Sequence, residues 1–180
     1  EPLEPSPDGA CMVMGIRVPF SSGYGAFNEM LVQQKCSFRG EVGWYCSHVW
    51  HDGPRGIAAG REIYGTPKIL ADLEVRNVPG GYLSRASMGG APVLTISTTN
   101  DRPADVSELP ATSPSWRLKM IPRADGPGRP ALKQLIDTTP ATIDFQVHLA
   151  LAGQGRLEFH PSPFSDLTGL APRSYGPAFY

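Results

Sequence analysis

The sequence predicts a β-rich α+β fold: antiparallel strands curled into a barrel or cone, with a few short helices. Three observations point there. About ten short segments read as strands, several alternating apolar and polar residues at the two-residue period, with turn signals between them. The 180 residues include 20 glycines and 19 prolines, and punctuation that dense breaks a chain into short elements. One internal stretch, Arg55 to Tyr64, carries acceptable helix formers. There is no solenoid-type repeat. The length suits a single domain with a real core, taken as residues 1–180.

The elements follow in order. Residues 1–10 are polar and Pro-rich and read as a loop or an edge. Cys11 to Val18 alternates loosely and ends at Pro19, which suits a first strand. Ser21 to Gly25 is a turn-rich connection. Asn28 to Phe38 is a strand with Glu29, Leu31, Gln33 and Lys35 on one face and Met30, Val32, Gln34 and Cys36 on the other. Phe38 to Gly43 turns the chain back into Trp44 to Trp50, with Trp44, Cys46, His48 and Trp50 on one side. His51-Asp52-Gly53-Pro54 breaks that strand. The helix from Arg55 stops at Gly65-Thr66-Pro67, because the residue before a proline is biased away from helical dihedrals. Lys68 then lies at the entrance to a strand over Leu70 to Arg76. Asn77 to Gly81 is a hairpin-type turn, and Gly89-Gly90 joins strands at Tyr82 to Met88 and Pro92 to Thr99. Asn100 to Pro114 reads as a surface loop. Ser115 to Ile121, Ala131 to Asp137, Ala141 to Leu151 and Arg156 to Phe159 are further strands, and the tail from His160 is irregular.

Charge and composition exclude several classes of function. The net charge of -1 gives no electrostatic case for nucleic acid or an acidic membrane surface. No apolar run is long enough to span a bilayer, and no secretory signal is visible. Cys11, Cys36 and Cys46 are odd in number and lack metal-type spacing, so free thiols in a reducing cytoplasm are expected. His48 and His51 straddle a strand end with no third ligand nearby, so no metal site is expected. No phosphate-cradling glycine pattern opens a helix, and no cofactor enters the reading.

The chemistry centres on Lys68, one of four lysines, set between Pro67 and the apolar run Ile69-Leu70-Ala71. Desolvation disfavours an ammonium, so a lysine there is expected to offer a neutral amine that attacks a carbonyl and forms an imine. The alternative is a strand-start lysine that snorkels its head to water. Glu29 shares a face with Leu31; buried, it would carry a raised pKa and shuttle protons, and otherwise it is an edge charge facing water. Trp44, His48 and Trp50 line an apolar cavity or form ordinary core.

The segment Gly60-Arg61-Glu62, followed after a four-residue spacer by Pro67-Lys68, resembles the signature of the acetoacetate decarboxylase family. Two more features fit: Trp116 to Pro122 with Asp125-Gly126 after it, and Glu29 placed 39 residues before Lys68. The resemblance covers most of the chain. It implies the family's β-barrel or cone, Lys68 as the Schiff-base residue and Glu29 as the proton-transfer residue. The expected substrate pocket takes in Trp50 and His48 from that aromatic wall, Tyr64, and Met14 at a family pocket position. Arg61, Glu62 and Pro67 belong to the structural motif, the first two as a buried ion pair or a helix-end contact that orients the lysine segment. The implied partners are a small keto acid or related carbonyl substrate and other copies of the chain in a homo-oligomer. Family members are longer at both ends, so an incomplete chain is expected.

Three departures bear on the reaction. The family's decarboxylases carry a second lysine after the first, and here that position is Ile69. Met14 stands where the family has a second pocket glutamate, and the segment with its carboxylate-holding arginine has no match. The resemblance therefore implies a Schiff-base lyase that decarboxylates a β-keto acid, or an aldolase, dehydratase or cyclase using the same lysine. A barrel that binds a carbonyl compound without turnover is the third reading.

Overall fold

The computed structural model describes residues 2–126, 128–141 and 144–180. In chain order the strands are β1 (Glu4–Pro5), β2 (Cys11–Val18), β3 (Phe27–Phe38), β4 (Glu41–His51), β5 (Lys68–Leu70), β6 (Asp72–Val78) and β7 (Gly81–Met88). They continue as β8 (Ala91–Thr99), β9 (Arg102–Pro103), β10 (Ser115–Ile121), β11 (Leu132–Asp137), β12 (Leu151–Phe159) and β13 (Pro177–Phe179). Helix α1 (Pro54–Ala59) runs directly into a π-helical turn, Gly60–Tyr64. Among the described residues, no helix is long and apolar enough to cross a membrane.

Two curled sheets result. The first runs β1-β3-β4-β10-β11, with β2 also on β3 and β5 on β4. The second runs β13-β12-β8-β7-β6, with β9 on β12. Most pairs are antiparallel, as hairpin chemistry dictates. Gly89 and Gly90 both take positive φ, the requirement of the two-residue turn that joins β7 to β8. Register shifts in β3–β4 and β7–β8 mark bulges, which bend a strand and curl its sheet. Two short pairings are parallel, β4 with β10 and β4 with β5. The β4–β5 pair is made possible by α1 and the π-turn, which carry the chain back to the start of a parallel neighbour.

The main core lies between the sheets. Met30, Val32 and Trp50 from the first sheet meet Ala86, Val93 and Leu94 from the second, and all are essentially closed to solvent. Burying side chains such as Met30, Val32, Val93 and Leu94 stabilises by about 1.5–3 kcal/mol each. Opposite strand faces build a second cluster of Leu31, Cys46 and Val49, flanked by Met14 and Ile16.

Several expectations need correction. No strand occupies 144–150, although one was expected over Ala141 to Leu151; Thr142 and Ile143 lie outside the described residues. β12 instead starts at Leu151 and runs unbroken through Gly153 and Gly155 to Phe159, where the strand was expected only from Arg156. The strand expected over Leu70 to Arg76 divides at Ala71, where the chain leaves the first sheet for the second. β9 and β13 went unread because two or three residues carry no periodicity. Cys11, Cys36 and Cys46 are free thiols, Cys11 exposed and the other two buried.

Candidate active site

Lys68 is the first residue of β5, and its backbone pairs with Val49 of β4. The segment before it is built to aim it. Gly65 ends the π-turn in the left-handed conformation, with φ 70°, and packs against the backbone of Lys119 on β10. Thr66 N–H then donates to Gly60 O at 3.0 Å, and Lys68 N–H to Thr66 O at 2.8 Å. Arg61 Nη1 donates to the Lys68 carbonyl at 3.1 Å, tying the turn to β5. Gly60 leaves room for the lysine stem: a β-carbon there would lie 2.8 Å from both Cδ and Cε of Lys68.

Glu29 enters from β3. Its Oε2 lies 2.6 Å from Lys68 Nζ, and the two side chains are only 15% and 14% exposed. The contact is an ion pair rather than an aligned hydrogen bond, since Glu29 Oε2 is buried without one. The ammonium also sits 5.8 Å from the centroid of the Phe27 ring. Phe27 in turn stacks on His51, with ring centroids 4.6 Å apart.

His51 closes β4 and is 1% exposed. Gly53 N–H donates to its Nδ1 at 2.8 Å, so that nitrogen is the acceptor and Nε2 carries the hydrogen of the neutral ring. Burial holds the imidazole below its usual pKa, helped by the Lys68 charge and opposed by Glu29 and Asp52. The ring is therefore a neutral donor at physiological pH. Its Nε2 is buried without a hydrogen bond and lies 3.9 Å from Glu29 Oε2. Gly56 makes room for it, since a β-carbon there would lie 2.6 Å from Nε2.

These groups open on one cavity of about 330 Å³, lined among others by Glu29, His51, Tyr64, Thr66, Lys68 and Arg117. A separate groove of about 270 Å³ on the second sheet, bounded by Arg85, Glu158 and His160, contains no lysine. An amine, a carboxylate touching it and a neutral N–H donor are the group types that imine chemistry and proton transfer require, and here they border one cavity.

The structure brings Lys68, Glu29 and Tyr64 together at this cavity and leaves Trp50, His48 and Met14 outside its lining. The physical reason for Trp50 and His48 is a bulge. Val32 pairs with His48 and Gln33 with Cys46, so Ser47 is an extra residue on β4. The alternation reverses there: Cys46 and Val49 face one cluster, while Trp50 enters the main core with His48 stacked beside it at 6.1 Å. Strict alternation therefore pointed to Trp50 and passed over His51. Met14 flanks the second cluster. Arg61 and Glu62 are both exposed and make no ion pair among the described residues, and Pro67 is half-buried beside Lys68. Arg117 went unnoticed inside a matched segment; its only sequence signal is a charge between Trp116 and Leu118 in a strand.

Comparison with known proteins places these residues in context. The family model described as Acetoacetate decarboxylase (ADC) matches residues 1–180. An acetoacetate decarboxylase from Chromobacterium violaceum is 28% identical over 160 residues, covering 86% of this chain and 63% of that protein. The chain thus spans less than two thirds of the length of the first curated relatives it matches. A solved structure of an acetoacetate decarboxylase superposes with a TM-score of 0.88 at 25% identity, over 99% of this chain and 72% of the other. The enduracididine biosynthesis enzyme MppR shares the fold, with a TM-score of 0.79 at 24% identity over 97% of this chain and 72% of its own. That structure holds the condensation product of pyruvate and imidazole 4-carboxaldehyde.

Proposed function

The chain belongs to the acetoacetate decarboxylase family, and from that premise we propose that it is a carbon–carbon lyase that decarboxylates a β-keto acid through an imine on Lys68. One observation carries the reading: the Lys68 amine and the Glu29 carboxylate touch at 2.6 Å inside a small cavity. Glu29 takes the ammonium proton, and the freed amine attacks the ketone carbon. The carbinolamine oxygen leaves as water once it is protonated, and an iminium remains. The iminium accepts the electron pair of the breaking carbon–carbon bond, carbon dioxide departs, and an enamine forms. Protonation of that enamine and addition of water release the ketone and restore the amine. Glu29 carries the protons in both directions, with the neutral His51 Nε2–H 3.9 Å from its Oε2.

A second reading uses the same lysine for aldol addition and dehydration of a keto acid. The apolar Ile69 directly after Lys68 favours it, because no second charge stands there. Both readings share the imine and differ in whether carbon dioxide is released. Following carbon dioxide from a panel that includes acetoacetate and pyruvate separates them. Release from a β-keto acid, abolished in Lys68→Ala, supports the decarboxylase; adducts without gas support the second reading.

A further inference from the structure

We propose that Arg117 is a carboxylate anchor, so that the cavity selects an anionic keto acid over a neutral ketone of the same skeleton. The inference deepens the imine reading of Lys68 by naming the group that holds the other end of the substrate.

Arg117 is the third residue of β10 and lines the same cavity as Lys68 and Glu29. Its guanidinium is fixed at one corner only. Nη1 donates to Ser115 Oγ at 2.6 Å and to Trp116 O at 3.1 Å. Ser115 Oγ is itself held by the buried Gln33, whose Nε2 donates to it at 3.1 Å. Nε is buried and has no acceptor. Among the described residues Nη2 makes no hydrogen bond, and no carboxylate pairs with Arg117. Nε–H and Nη2–H are parallel donors that match the two oxygens of a carboxylate. A charged fork left unmet beside a cavity is unfavourable unless a ligand fills it.

The charges agree with this assignment. Lys68 and Glu29 satisfy each other, and His51 is held neutral by burial. Arg117 is then the surplus positive charge lining the cavity. It faces the same cavity as the pair. A cavity of about 330 Å³ with one surplus positive charge suits a small monoanion.

The test uses β-hydroxybutyrate and its neutral amide, which cannot form an imine, titrated calorimetrically into the full chain, Arg117→Gln and Arg117→Lys. The anion is expected to bind at least about tenfold more tightly than the amide to the unmodified protein. Arg117→Gln abolishes that preference without changing the affinity for the amide, which also verifies an intact cavity. Arg117→Lys, a charge without a fork, falls between. Equal binding of anion and amide by the unmodified protein, absence of binding by both, or a preference kept in Arg117→Gln overturns the anchor. Borohydride trapping is run in parallel. Failure of every ketone to trap on Lys68, with the anion preference intact and dependent on Arg117, would remove the imine reading and leave the anchor standing.

Discussion

Lys68 Nζ has a carboxylate oxygen at 2.6 Å, an aromatic face at 5.8 Å and a glycine beneath its stem. Each neighbour has a separable consequence. The carboxylate moves protons, so Glu29→Gln is expected to slow the imine yet leave it trappable on long incubation, while lowering kcat by about a hundredfold or more. Single-turnover trapping beside steady-state assays checks this, and an unchanged kcat would exclude Glu29 as the proton carrier. Once the cationic iminium has become the neutral enamine, Glu29 loses its cationic partner, and the neutral His51 Nε2–H at 3.9 Å is a donor left to hold it. His51→Leu keeps the packing against Phe27 and removes that donor. It is expected to lower kcat by about tenfold, the scale of one hydrogen bond to a charge. His51→Gln, which restores an N–H, recovers part of the loss. Equal rates for the leucine and glutamine variants would show that His51 acts through packing alone.

At the level of elements, the site is a strand start aimed by α1 and its π-turn, and two glycines there predict opposite outcomes. Gly65 holds φ 70° with its face against Lys119, where a β-carbon would lie 2.4 Å from Cα. Backbone cannot yield there, so Gly65→Ala is expected to destabilise the fold by about 1–3 kcal/mol in urea unfolding. A β-carbon on Gly60 meets only the flexible stem of Lys68. Gly60→Ala is therefore expected to keep stability within about 1 kcal/mol, since alanine is the better helix former, yet displace the amine and suppress trapping. Stable Gly65→Ala protein, or full trapping by Gly60→Ala, would contradict the geometry. Much at this scale was legible in the sequence. Gly89-Gly90 announced a hairpin, Thr66-Pro67 a helix stop, and alternation in β3 put Glu29 on the face of Leu31. The single extra residue at Ser47 was not legible. A bulge is chosen by the sheet around it, and it moved Trp50 into the core and His51 to the cavity.

For the molecule as a whole, the sequence revealed a β-rich barrel or cone but not its pairings. The parallel β4–β10 and β4–β5 ladders join segments far apart in the chain, and no local period reports them. Burying His51 and His48 has a global consequence, because burial lowers both pKa values. The unfolded chain then binds more protons as pH falls through the ordinary histidine value of about 6.5. The histidine contribution to stability is complete above that value and lost as pH drops toward the folded values. Asp8 and Glu108, held down at about 2 by hydrogen bonds, enter only at much lower pH. The urea midpoint is expected to fall between about pH 7.5 and about pH 5.5, and less so in His51→Gln; a flat profile would contradict burial of the neutral ring. The central claim, that Lys68 is an imine-forming amine, is tested most directly by borohydride reduction in the presence of keto acids, read by peptide mass spectrometry. A reduced adduct on Lys68, absent in a folded Lys68→Ala variant, is the predicted result. An adduct on Lys119 or Lys133 instead, or none with any keto acid, would contradict it.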